Sequence, residues 1–146
     1  MIAERRTTEH DEQADLFQWA RLMENKIPEL ATLFSIPNGG QRHPAVAAKM
    51  KAEGVKAGVW DCFMATPRGA DHGLWLELKI RPNKLTPAQE VWGHTMRAAG
   101  HRCVVCFSWI EAARAVCAYL GVRPEDFGVG APAGAGAGRG IEGGDQ

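Results

Sequence analysis

Three residues in the middle of the chain have the types and spacing that phosphate chemistry needs. Asp61 interrupts the apolar run from Val59 to Ala65, and Glu77 and Lys79 interrupt a second one from Leu74 to Ile80. A lone carboxylate is costly to bury unless it is paired or bound to a metal. Residues two apart on a strand share a face, about 7 Å from each other. Glu77 and Lys79 therefore face one way, and Leu76 and Leu78 face the core. Pro67-Arg68-Gly69-Ala70-Asp71 lies between the two runs and predicts an antiparallel hairpin, which can set Asp61 beside Glu77. Two carboxylates suit a hard divalent cation. A lysine next to them can orient or deprotonate water, or offset charge in the transition state of phosphodiester hydrolysis. The bland alternative is a Glu–Lys pair on a solvated strand face, because E-x-K is a common spacing.

The elements that must position these residues are legible from periodicity and caps. Gln13, Leu16, Phe17, Ala20 and Met23 recur at helical spacing, which predicts a helix over residues 9–24 with Thr8 as N-cap. Ile36-Pro37-Asn38-Gly39-Gly40 reads as a loop, and Pro44 and Gly54 bracket a short helix. Thr86-Pro87-Ala88-Gln89 is a helix start with an N-cap, a first-position proline and a capping-box glutamine. That helix runs to Gly100. Arg102 to Phe107 is a third strand, and Ser108-x-x-Glu111 opens a last helix to about Leu120. A strand–helix–strand unit from Leu74 to Phe107 implies a parallel pair with a right-handed crossover. The fold class is α/β: a small mixed sheet flanked by helices. Residues 1–124 are expected to form the domain. Residues 125–146 are Gly/Ala/Pro-rich and are expected to stay disordered.

The chain has 146 residues and a formal net charge of zero, so the totals alone do not point to nucleic acid. The acids Glu9, Asp11, Glu12 and Asp15 cluster near the start, whereas the middle of the chain is rich in Lys and Arg and could meet a polyanion. No apolar run is long enough to span a bilayer, and no signal-like segment opens the chain, so a cytoplasmic, reduced protein is expected. Of four cysteines, Cys103 and Cys106 form a C-x-x-C. Residues three apart on a strand point to opposite faces, so these two cannot share a metal. The five histidines show no metal-ligand spacing.

Read in order, four segments of this sequence resemble the VRR-NUC domain of the PD-(D/E)xK nuclease superfamily. They are G-V-K-A-G-V-W-D, H-G-L-W-L-E-L-K, K-L-T-P-A-Q-E-x-W and A-A-G-H-R. The resemblance spans about residues 9–120 and is closest to small stand-alone phage and bacterial members. It implies a restriction-endonuclease-like fold similar to Holliday-junction resolvases, and a Mg2+- or Mn2+-dependent DNA endonuclease selective for branched DNA. A homodimer is also implied. Asp61 and Glu77 match the metal-binding acids, and Lys79 matches the catalytic lysine. Glu9 matches an acid on the first helix that helps position metal or water, with Glu12 as the runner-up. Gln89 matches a polar residue after the E-x-K strand, although its place in a capping box explains it equally well. Trp60 stands where the superfamily pattern has proline. Asn38, Gly39, Arg42, Lys56, Arg81 and Lys84 are the expected DNA-backbone contacts, weighed against an ordinary turn and solvated loops. A catalytically silent nucleic-acid-binding module is the competing reading.

Overall fold

A computed structural model describes residues 6–37 and 42–130. Helix α1 spans Glu9–Met23. A 3-10 turn at Pro28–Thr32 leads into the short strand β1, Leu33–Ser35. Helix α2 (Pro44–Ala52) precedes β2 (Cys62–Met64) and β3 (Leu74–Leu78). Helix α3 (Pro87–Ala98), β4 (Arg102–Cys106), α4 (Trp109–Leu120) and a 3-10 turn at Pro124–Phe127 complete the order. The sheet runs β1-β2-β3-β4. β1 and β2 pair antiparallel, β2 and β3 pair antiparallel, and β3 and β4 pair parallel. The expected hairpin and crossover are both present. β1 was not expected, because three residues carry too little alternation to stand out from a loop.

Side-chain alternation gives the sheet two unlike faces. Cys62, Met64, Leu74, Leu76, Leu78 and Cys106 face Leu16, Trp19 and Ala20 of α1 and Ala112, Ala113, Val116 and Leu120 of α4, forming the main core. The opposite face carries Trp60, Trp75 and Cys103, with Phe63, Val105, Trp92 and Met96 packed around them beneath α3. Trp75 and Trp92 meet edge to face at 5.3 Å, so Trp92 lies over the sheet. The C-x-x-C is split between the two faces, as strand geometry requires. All four cysteines are free and buried. Burial pushes the Cys106 thiol up to about 12 and that of Cys117 up to about 11, which leaves them as apolar packing groups.

The helix starts follow from their caps. Thr8 and Asp11 form a complete capping box on α1, as do Thr86 and Gln89 on α3. Ser108 caps α4, but Glu111 reaches back to Phe107 N at 2.7 Å and not to the N-cap itself. The expected boundary at residue 124 falls inside packed chain. Trp19 Nε1 donates to Phe127 O at 2.8 Å, Arg114 Nε donates to Val129 O at 2.8 Å, and Val129 is buried. Residues 125–130 therefore belong to the domain, held by the Phe127 and Val129 side chains and by main-chain carbonyls despite their glycines. The remainder of the expected tail lies outside the described residues.

Candidate active site

Asp61 stands at the point where β2 and β3 begin to splay. The ladder pairs Cys62 with Leu76, which puts Asp61 opposite Glu77. There, side chains replace main-chain partners. Asp61 N donates to Glu77 Oε2 at 3.0 Å, and Leu78 N donates to Asp61 Oδ2 at 3.0 Å. Each carboxylate satisfies the N–H that strand divergence would otherwise leave unpaired, a requirement for buried backbone groups. Across the gap, Ile36 N donates to Asp61 O at 2.8 Å. On the other side, Lys79 N donates to Cys106 O at 2.9 Å and keeps the end of β3 tied to the β4 strand.

Lys79 Nζ lies 3.3 Å from Glu77 Oε1, and Gln89 Nε2 donates to the same oxygen at 2.7 Å. Glu77 is 1% exposed and Lys79 8%, so the solvated Glu–Lys pair is ruled out. Gln89 serves two roles at once, because its Oε1 accepts from Thr86 N at 2.9 Å and completes the cap of α3. The capping box thus aims the amide at Glu77. Trp60 Nε1 donates to Gln89 O at 2.8 Å. The indole standing in the proline position therefore anchors the turn that carries Asp61 onto α3.

Burial pushes the Glu77 carboxyl up to about 7, and the neighbouring Asp61 charge adds to the shift against the opposing pull of Lys79. Asp61 is raised too, first by burial and further by Glu9, against the Leu78 N–H and Lys79. A buried and a half-buried carboxylate share one ammonium, so the site holds an excess of negative charge that a divalent cation would offset. Two oxygen-donor acids suffice for Mg2+, which commonly takes one or two carboxylates and keeps several waters. Among the described residues no three His, Cys, Asp or Glu side chains gather into a metal-binding group. Glu9 accordingly stays at the rim. Its Oε1 accepts from Asn83 Nδ2 at 3.2 Å and Ile80 N at 3.4 Å. Glu12 is committed elsewhere, taking Trp109 N at 2.6 Å at the start of α4. Of Glu9 and Glu12, it is Glu9 that faces the site.

The expected DNA contacts are placed variously. Arg81 is exposed and lies over the Phe107 ring at 3.9 Å, and Lys84 and Lys56 are exposed. Arg42 folds back to hydrogen-bond Met50 Sδ, so it belongs to the α2 excursion and not to the lip of the carboxylates. Asn38 and Gly39 lie outside the described residues. Asn83 was missed by sequence reasoning. It sits in a polar loop, and nothing in its spacing links it to Glu9, from which it is 74 residues away.

No family model matches the sequence, and no curated protein matches it. Among solved structures, a chain described as a VRR_NUC domain protein superposes with a TM-score of 0.69 at 28% identity, covering 81% of this chain and 92% of its own length. Over most of its length this chain is thus similar to a VRR-NUC domain. The mixed sheet and its flanking helices are those of the VRR-NUC fold. It is a nuclease-type domain, and no described helix is long and apolar enough to cross a membrane. On the aromatic face of the sheet, buried Glu77 and Lys79 converge with half-buried Asp61 and Gln89.

Proposed function

We propose that this VRR-NUC-like domain is a divalent-metal-dependent DNA endonuclease. The observation that carries the reading is the convergence of buried Glu77 and Lys79 with half-buried Asp61 on one sheet face, clamped by reciprocal backbone bonds. Burying such a set is costly, and the main core on the opposite face needs none of it. Asp61 and Glu77 would hold Mg2+ or Mn2+, with Glu9 at the rim; when bound, the cation supplies Lewis acidity toward phosphate and water.

The chain's own residues supply the rest. Glu77 must give up its proton to act, and the Lys79 ammonium and Gln89 amide favour its charged form. Lys79 carries no lone pair while charged. Its role is electrostatic, placing positive charge beside the position where a phosphoryl group gathers negative charge. Gln89 fixes the Glu77 rotamer through the α3 cap, and Trp60 fixes Gln89. The exposed cations Arg81 and Lys84 would hold the DNA backbone beside the site. Selectivity for branched DNA, presented to a symmetric pair of domains, rests on the family resemblance. The test is to incubate the purified protein with labelled duplex, flap and four-way-junction DNA, with Mg2+, Mn2+ or EDTA. Cleavage dependent on metal and strongest on branched substrates is expected. DNA binding without cleavage under every metal would replace the enzyme by a silent binding module.

A further inference from the structure

Helix α2 does not behave as part of the domain body. Every residue of Pro44–Ala52 is exposed except Met50, which is half-buried, and Val46 is 49% exposed. A helix of this length is marginal in water unless an apolar face packs against something, and α2 buries no residue in the domain. Its ordering calls for a partner.

The composition states which kind. From residue 42 to residue 60 the cations are Arg42, Lys49, Lys51 and Lys56, against the single acid Glu53. On the helix, Ala45, Ala48 and Ala52 line one face at i, i+3 and i+7. Lys49 and Lys51 project to either side of that face at helical periodicity. Short side chains let the helix backbone come close to a chain of phosphates, and the flanking lysines reach it.

The excursion is rooted at the carboxylates. It leaves the sheet at Ile36, whose N–H is bonded to Asp61 O. It returns through Gly58, where an added Cβ would lie 2.5 Å from the Ala88 backbone, and Trp60, bonded to Gln89 O at 2.8 Å. Both ends are thus fixed beside Asp61 and Gln89, while the helix between them stands in solvent.

We infer that α2 is a DNA-gripping arm whose Lys49 and Lys51 contact backbone phosphates flanking the scissile bond. This rests on the endonuclease reading above and names the element that holds the substrate for that site. Binding is measured by fluorescence anisotropy of labelled duplex and four-way-junction DNA in EDTA, across a salt series. The wild type is compared with the double variant Lys49→Gln/Lys51→Gln and with Lys49→Arg/Lys51→Arg. The glutamine variant is expected to bind more weakly and to lose up to roughly 1.8 from its log–log salt slope, about 0.9 per phosphate contact. The arginine variant should restore both. Amide hydrogens of residues 44–52 should gain protection from exchange when DNA is added. Equal affinity and slope for wild type and glutamine variant, with no protection over α2, would overturn the arm and leave the endonuclease reading standing. A wild type that binds neither DNA would overturn both.

Discussion

The two faces of the central sheet use the same strand for opposite ends. In Leu74-Trp75-Leu76-Glu77-Leu78 every residue is buried. Leu74, Leu76 and Leu78 enter the main core against α1 and α4. Glu77, with Lys79 just beyond the strand, is buried on the other side, where desolvation works against the carboxylate charge. Leucines on one face stabilise the fold through area removed from water. The charged pair on the other is held in place by that stability. Burial is therefore not a guide to structural importance here. The same degree of exposure marks apolar packing on one face and a charged pair on the other.

Truncation separates the faces most sharply. Leu76→Ala should cost about 2–5 kcal/mol through lost transfer energy and a cavity, while the protein that remains folded retains its carboxylate site. Glu77→Ala should destabilise for a different reason, because it removes the ion-pair partner of buried Lys79 and leaves it only the weaker pull of Asp61. Adding Lys79→Ala to Glu77→Ala should recover part of that loss. Denaturant unfolding of the single and double variants checks both statements. A double variant no more stable than Glu77→Ala would show that the pair does not share the cost described.

The titration of the two faces differs as well. Leucines do not titrate, whereas Glu77 shifts from its ordinary 4.5 to about 7. An acid whose folded pKa lies above its unfolded value binds more protons folded than unfolded between the two. Its contribution to stability therefore falls as pH rises from about 4.5 to about 7 and levels off above. Asp61 shifts in the same direction. Metal-free wild type should lose melting temperature across that interval, and Mg2+ should restore it above pH 7. Thermal melts of wild type and Asp61→Asn, with EDTA and with Mg2+, test this. A wild-type melting temperature that rises over the interval while that of the variant is flat would contradict the shared-charge account.

The smallest effect lies at the far edge of the apolar face. Deleting residues 129–146 removes Val129, which is buried, and should cost about 1.5–3 kcal/mol. Deleting 131–146 spares Val129 and the carbonyls that Arg114 holds. The two truncations compared by calorimetry should differ by several degrees. Identical melting temperatures would show that Val129 adds nothing.

Much of the site was legible because the anomaly is local. An acid in an apolar run, a second one with a lysine two residues on, and a turn between them suffice to set the register of Asp61 against Glu77. The Thr86 capping box was equally plain, though its link to Glu77 through Gln89 Nε2 was not, since a cap signature does not say where the spare amide points. The choice between Glu9 and Glu12 could not be made from α1 alone. It depends on Trp109 N, 97 residues from Glu12, and on how α1 meets the sheet. β1 escaped notice because it is a three-residue edge defined by its partner β2. The packed segment ending at Gly130 was hidden because its composition is that of a flexible chain. Its order comes from carbonyls that Trp19 and Arg114 hold.

The central claim is that Asp61 and Glu77 are held side by side for metal-assisted phosphodiester cleavage and not for stability. Asp61→Asn tests it most directly, because an amide can still accept from Leu78 N while the like charge beside Glu77 disappears. Cleavage of labelled four-way-junction DNA with Mn2+ and thermal unfolding at pH 8 are read on the same preparations of wild type and variant. The account predicts a variant at least as stable as wild type, with cleavage lost by a factor of about a hundred or more. A variant that cleaves at near wild-type rate, or one that is inactive only because it has unfolded, would contradict it.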